Sequence, residues 1–424
     1  MISLIRSQLG QMAAVALAAA PLAASPASAE TINEAVQRGL SRHPEVRLAE
    51  ARISQASTEV DMARNGYLPT LTSSVGPDAG GVSYDVNLAQ TVYDWGATGR
   101  AVDQRRALLM LQQANLQVVK DDAALEIVEV YLDIASARAQ LSLLDDQRVQ
   151  LESLAEIART RVEARYSDLS ETGRVELALS TVAGSRARIQ GDLAQARDRY
   201  ELIVGSPPES VRAPASPGFL DAFREPGALE AAVVAAPLFR KANMAVQAAD
   251  AGFREAQAAR FPRLNVEGSL QRREIGGRMV DDSFVGVRLR LSSQQGLSAF
   301  QRPQLEAQRR EAARWEAQVV ARDLRRLVGS LIQNDASLAL RITALETQAE
   351  QAEAVRDLYR EQFLVGRRDI QDLVIMETES FEAQRQVLEL IIERLRLQYR
   401  AAAQLGLLAS TMESDAMNTT GAPS

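Results

Sequence analysis

From Ala97 to Arg165 the chain carries no glycine or proline beyond Gly99. Inside that stretch Ile127, Val130, Ile134, Ala137, Leu141, Leu144, Leu151, Ala155, Ala158 and Val162 succeed one another at spacings of three and four, interrupted only by Arg148. Such spacing lays one apolar stripe along a helix. A continuous helix of this length extends on the order of 100 Å at 1.5 Å per residue. No compact domain holds a rod that long, so the stripe must be covered by other rods.

The same pattern returns later in the chain. Shifting the series by 197 positions gives Leu324, Leu327, Leu331, Leu338, Leu345, Ala352, Val355 and Tyr359, weakened by Asn334, Arg341 and Gln348, and carries Tyr166 onto Phe363. Pro44 and Pro69 are separated by the same 25 residues as Pro237 and Pro262, at an offset of 193. Each pair encloses an Ala-rich helical segment, and each closing proline leads into residues with strand character. Both rods meet a short polar break, at Ser167 to Gly173 and Val365 to Asp369, and return as a second helix ending near Tyr200 and Gln404. The chain therefore reads as a duplication: a first repeat over 30–204, a Pro- and Gly-rich linker over 205–227, a second repeat over 228–408, and a tail over 409–424 without periodicity, expected to be disordered. The expected fold class is mainly α with a small β part, helices taking roughly 65% of the chain against a usual third.

The β part is two hairpins, one in each repeat, over 67–95 and 261–293. In the first, Val82, Tyr84, Val86 and Leu88 alternate with polar residues after the turn at Pro77 to Gly81; in the second, Val285, Val287, Leu289 and Leu291 alternate with Gly286, Arg288 and Arg290 after Gly276 and Gly277. Lone two-stranded hairpins are marginal in water, so these need partners, which other copies of the chain can supply.

Composition then narrows the function. With no cysteine and one histidine, His43, which sits before Pro44 at a helix start, thiolate chemistry and the usual zinc sites are disfavoured, and no metal or cofactor is expected. Aromatics make up only 4% of residues, too few for a thick enzyme core. The net charge of −7 is spread along the chain with both signs interleaved, which argues against a nucleic-acid partner. Residues 1–29 hold Arg6, an apolar run from Met12 to Ala24 and Ala27-Ser28-Ala29, the pattern of an export signal cleaved before Glu30. Beyond it no uncharged apolar run approaches the ~18 residues of a spanning helix, so any crossing of a membrane must use strands.

The duplicated His43-Pro44 and Ala236-Pro237 helix starts, the paired segments "YLP" and "RFPRL", the hairpin end "LAQTVYDWG" and the tip "FLVGRRDIQDL", taken in order, resemble the TolC family of outer-membrane channels over essentially the whole mature chain. The resemblance implies a homotrimer in the outer membrane of a Gram-negative bacterium. Two hairpins per chain would give four strands to one 12-stranded barrel, and the antiparallel coiled-coil helices would form a periplasmic tunnel. It implies a duct rather than an enzyme, serving type I protein secretion or multidrug efflux, with a periplasmic adaptor and an inner-membrane pump as partners and lipid around the barrel. A periplasmic coiled-coil scaffold that never enters the membrane is the alternative.

Within that frame the tip residues Leu364, Val365, Gly366 and Arg367, with Tyr166 and Leu169 on the first tip, are the expected adaptor contact; equally, Gly366 serves a plain helix-to-helix turn. Asp372 lies where the family often carries an acid at the tunnel entrance, and three copies would form a carboxylate ring. Asp369 and Asp372 would otherwise cap the returning helix. Arg368 or Arg174 is the expected partner of Asp372 across chains, and Ile375 and Arg174 depart from the acids often found there. Tyr84, Tyr93, Trp95 and Phe284 suit an aromatic girdle at the membrane interface, Trp95 alternatively packing at the junction of strand and helix.

Overall fold

The computed structural model describes residues 30–78, 81–166, 168–208, 211, 218–225, 227–275, 278–290 and 298–410. The signal segment, the turn residues Ala79, Gly80, Gly276 and Gly277, Leu291, most of the linker and the tail from 411 on lie outside the described residues. Each repeat has the same order of elements. In the first, α1 (Ile32–Leu40) and α2 (Pro44–Arg64) lead into β1 (Thr70–Asp78) and β2 (Gly81–Tyr93), then the rod α3 (Ala97–Glu163) and its return α4 (Leu169–Val204). In the second, α5 (Ala228–Ala235) and α6 (Pro237–Ala258) precede β3 (Arg263–Ile275), β4 (Arg278–Arg290), α7 (Ser298–Leu364) and α8 (Ile370–Leu405). Both rods have 67 residues and both return helices 36.

Local chemistry places the breaks. Thr31 and Glu34 form a reciprocal capping box on α1. Pro44 and Pro237 occupy the first turn of α2 and α6, where a missing N–H costs nothing. Asp168 and Asp369 cap α4 and α8, so the first return helix starts at Leu169, inside the break expected to run to Gly173. The polar first turn Ser170-Glu171-Thr172 reads as loop in sequence, yet it suits a helix N-terminus, where acidic residues meet the positive end of the dipole.

The offset between repeats is not constant. It is 193 between α2 and α6 and between the starts of β1 and β3, 197 between β2 and β4, and 201 between the rods and between their returns. Four residues enter with the longer β3 and four more between β4 and α7. The stripe alignment at 197 is therefore one turn out of place. A shift of four residues leaves a helix face nearly unchanged, which is why the sequence pattern tolerated it. At 201 the two rods bury matching positions near their middle: Ala123 with Leu324, Ile127 with Val328, Tyr131 with Ile332, Ile134 with Asp335, Ala137 with Leu338.

The four strands form one antiparallel sheet in the order β1-β2-β3-β4, so the hairpins also pair with each other, through β2 and β3. The rods are ordered the same way: α3 packs on α4 and on α8, and α8 on α7, which leaves α4 and α7 at the two margins. The main core lies midway, where α1 meets α3, α4 and α8 around Ile127, Tyr131, Ile134 and Tyr200. The Tyr131 hydroxyl there donates to the Glu30 carbonyl at 2.8 Å. The core then runs along the rods to Leu154, Ala158, Val175, Phe363, Ile370 and Leu373 at the tips.

Candidate functional site

The sheet has two chemically distinct faces, and register fixes which residue lies on which. Leu71 opposes Leu88, Val75 opposes Tyr84, Leu264 opposes Leu289 and Val266 opposes Val287. Cross-strand partners share a face. One side of the sheet is therefore apolar and open, with Val285 80% and Val75 74% exposed. The opposite side carries Thr70, Thr72, Ser83, Asp85, Asn87, Thr91, Arg263, Asn265, Glu267, Arg288 and Arg290. A surface apolar toward one side and polar toward the other is what a barrel between lipid and a water-filled lumen requires. No helix among the described residues is long and apolar enough to cross a membrane.

Three of the four expected girdle residues lie at the ends of the apolar face. Near the turn, the Tyr84 hydroxyl donates to Asp281, which also pairs with Arg272 at 3.6 Å. At the other end, Tyr93 meets Trp95 edge-on at 5.0 Å between ring centroids, and Trp95 meets Phe261 at 5.3 Å. Trp95 is held in place because its Nε1 donates to the Pro262 carbonyl at 3.0 Å. Tyr84 and Tyr93 are nine residues apart along β2, roughly 30 Å of strand, or about 23 Å along the normal of a barrel tilted by ~40°, close to the ~25 Å apolar band of such barrels. Phe284 does not belong with them. It opposes Ser269, which opposes Asn87, so it lies on the polar face. A Cβ at Gly286 would run into its ring, so Gly286 is what lets that ring lie along the sheet. Phe261, absent from the expected set, is flagged in the sequence only by standing next to Pro262.

At the far end of the rods the two tips meet. Phe363 is buried between them, with Arg161 stacked on its ring at 5.0 Å and paired through Nε with Glu171 at 3.4 Å. On the second tip Arg368 lies over the Tyr359 ring at 4.2 Å, donates to Gln362 at 3.1 Å and pairs with Asp372 at 3.4 Å. The Arg368 and Asp372 pair is thus made within one chain, one helical turn apart. Asp369 is used as a cap, its Oδ1 accepting from the Asp372 backbone N–H at 2.9 Å. Arg174 stands away from Asp372, lining a cleft of about 330 Å³ between the helical hairpins together with Gln371, Val374 and Ile375. At the 201 offset the counterpart of Asp372 is Glu171, so both tips carry an acid at that level. Tyr166 and Leu169 on one tip and Leu364 and Val365 on the other are all about 70% exposed or more, and Gly366 turns the chain with φ 73. Arg161, Tyr359 and Glu171 complete this cluster; no single spacing marks them, because they come from three helices.

Two buried carboxylates on the second helical hairpin differ in their charge balance. Burial pushes Asp335 up, but hydrogen bonds from Arg394 and Gln398 and the charges of Arg394 and Arg224 outweigh it, and its carboxyl sits below the ordinary value of 3.8. Burial also raises Glu377, and Arg356 and Arg360 offset that only in part, so it sits above the ordinary 4.5.

Fold and site together define a building block of an outer-membrane channel, one segment of barrel wall continued by one segment of helical tunnel wall. The family model for the outer membrane efflux protein matches residues 35–206. Protein CyaE of Bordetella pertussis is 28% identical over 188 residues, 41% of this chain and 40% of that protein, so the match spans well under half of that relative. Outer membrane efflux protein BepC of Brucella suis is 21% identical over 375 residues, covering 85% of this chain and 82% of that one. Among solved structures, CusC superposes with a TM-score of 0.76 at 15% identity over 88% of this chain and 91% of its own. The open-state MtrE channel of Neisseria gonorrhoeae gives 0.73 at 19% identity over 88% of each. The first repeat thus matches the outer membrane efflux protein family, and the whole described fold is that of outer-membrane channels whose helical body lies on the periplasmic side.

Proposed function

We propose that three copies close into a single duct, the exit of a tripartite export system. The observation that carries this is the matched pair of open margins. The sheet ends on unpaired β1 and β4, and the rods end on α4 and α7. Exposed strand edges are hazards that a lone protein must blunt, and in lipid they are untenable. Joining β4 of one copy to β1 of the next, and α7 to α4, removes all of them in one symmetric step. The resulting 12-stranded barrel continues into the tunnel, whose narrow end lies at the tips.

In this reading no bond chemistry takes place. Asp372 and Glu171 line the periplasmic entrance, Arg368 and Arg161 hold them within the chain, and the exposed Leu364, Val365, Tyr166 and Leu169 with Gly366 and Arg367 receive a periplasmic adaptor tied to an inner-membrane pump. The duct serves type I protein secretion or multidrug efflux; of the two relatives, BepC is named an efflux protein and the name of CyaE states no cargo. Extraction from membranes decides between the duct and the scaffold. The duct requires detergent for release and runs as a heat-sensitive trimer; a monomer soluble in plain buffer overturns it. At the entrance, Asp372→Ala changes conductance and divalent cation block in planar bilayers, and unchanged values remove Asp372 from the gate.

A further inference from the structure

The polar face of the sheet is not evenly charged. At the helix end of the barrel, Arg263, Arg288 and Arg290 share that face with a single carboxylate, Glu267. Glu267 is 3% exposed; one oxygen takes Arg288 at 3.0 Å and the other takes Arg290 at 2.6 Å. Arg263 stands directly opposite Arg290, and like charges directly across a strand pair are unfavourable. Asp94, the other acid near Arg263, is already engaged by the backbone N–H groups of Gly96 and Thr98 at 3.0 and 2.7 Å. The first hairpin contributes only Thr70, Thr72, Ala89 and Thr91 at this height, so the β1 that a neighbouring copy would lay against β4 brings no counter-charge either. Toward the turns the same face carries both signs, with Asp85 and Asp282 beside Arg273 and Arg278. A repulsive pair kept where nothing in the packing asks for it marks a site under functional demand.

We infer that Arg263, Arg288 and Arg290 form an arginine belt at the base of the barrel lumen that selects for anionic solutes. Glu267 is the positioning residue that spreads two of the guanidinium groups along the wall. This rests on the three-copy duct above, which turns three arginines per chain into a ring of nine. Twelve strands spaced ~4.8 Å apart and tilted by ~40° close to a backbone diameter of roughly 24 Å. Arginine side chains projecting into that bore leave every passing ion within about one Debye length, ~10 Å at 0.1 M salt, of several charges. Guanidinium groups also suit carboxylates, phosphates and sulfates through paired N–H donors.

The test is the zero-current potential of detergent-purified protein in a planar bilayer under a potassium chloride gradient, together with block by inorganic tripolyphosphate added on the side of the barrel mouth. Arg263→Gln removes no partner of Glu267 and lowers the anion-to-cation permeability ratio about twofold at 0.1 M salt. The triple variant with Arg288→Gln and Arg290→Gln added lowers it further and abolishes tripolyphosphate block. Glu267→Gln shifts the potential the opposite way, and Arg288→Lys with Arg290→Lys preserves both readouts. All shifts shrink at 1 M salt, where the Debye length is ~3 Å. Pores whose potential ignores both Arg263→Gln and Glu267→Gln overturn the belt alone, whereas a wild-type chain that opens no pore overturns the duct and the belt with it.

Discussion

The two rods have the same length and share a short run of buried positions, yet they live in different surroundings. α3 is covered by α1, α2, α4, α6 and α8, whereas α7 packs on α5, α6 and α8 and is open along one side. The first rod buries Ile127, Tyr131, Leu132 and Ile134 completely; the second leaves Trp315, Leu340 and Leu358 more than half exposed. After a duplication, one copy became the inner support of the chain and the other a margin. A margin that stays apolar is a surface with an intended neighbour. The sheet repeats the lesson, with β2 and β3 inside and β1 and β4 outside.

The harshest way to break this comparison is to charge the open side of α7. Leu340 is 75% and Leu358 55% exposed in the single chain, so Leu340→Asp with Leu358→Asp barely changes the isolated chain. In a closed assembly the same pair loses about 1.5 to 3 kcal/mol of burial per leucine and adds a carboxylate that must be desolvated. The expected result is loss of the trimer by semi-native electrophoresis or sedimentation with helix content unchanged. Trimers of undiminished heat resistance would show that this side faces solvent.

A second test exchanges what the rods bury at equivalent places. Ile134 is fully buried among apolar side chains, and its counterpart Asp335 is buried among Arg224, Arg394 and Gln398. Ile134→Asp buries a carboxylate in an apolar core and costs about 4 kcal/mol or more. Asp335→Ile takes the partner of Arg394 and one of two partners of Arg224, which keeps Asp221 at 3.2 Å; these arginines are 28% and 44% exposed and recover water, so the cost is about 1 to 2 kcal/mol. Equal costs in chemical denaturation would mean that the polar cluster is as dry as the apolar core.

Much of this was legible beforehand because periodicity survives without a structure: the rods, the two hairpins, the tips and the duplication all follow from spacing. What stayed hidden depends on pairing. The four-residue slips between repeats are invisible to a heptad count, since each keeps the stripe on one face. Phe284 joins the girdle only by its aromatic character, whereas alternation from Val285 already sets it on the other face. The link between β2 and β3 has no local signal, and the belt at Glu267 becomes visible only when that register aligns residues of β3 and β4. The pairing of Arg368 with Asp372 inside one chain was obscured by the expectation of a partner across chains.

Acidity sharpens the comparison of the two buried carboxylates with smaller effects of opposite sign. Asp335 is depressed, so its contribution to stability is fully present above its unfolded value near 3.8 and is lost as pH falls through the lower folded value. Glu377 is raised, so its contribution is full below its unfolded value near 4.5 and is lost as pH rises through the folded value. Glu377→Gln therefore stabilises the helical hairpin at neutral pH and removes the decline above pH 4.5. Asp335→Asn removes the decline below pH 3.8. Thermal unfolding across pH 3 to 8 reads both, and a Glu377→Gln variant less stable than wild type at pH 7 would mean that its link to Arg356, at 4.0 Å, outweighs the cost of burial.

The smallest effect separates the tips. Arg165 and Gly366 occupy the same place at the end of their rods, with φ 57 and 73, and the two turns share their hydrogen bonds: Tyr166 N–H to the Arg161 carbonyl and Arg367 N–H to the Gln362 carbonyl, both at 2.9 Å. Left-handed backbone costs a non-glycine residue about 1 to 2 kcal/mol. Glycine gives back roughly 0.5 to 1 of that through the greater freedom of its unfolded chain. Arg165→Gly therefore gains only about 0.5 kcal/mol, while Gly366→Ala loses about 1 kcal/mol. Amide hydrogen exchange at Tyr166 and Arg367 resolves such local changes, slowing at the first tip in one variant and quickening at the second in the other. Faster exchange at Tyr166 in Arg165→Gly would mean that the arginine side chain itself holds the first tip, and that the two turns, alike in backbone, are stabilised by different forces.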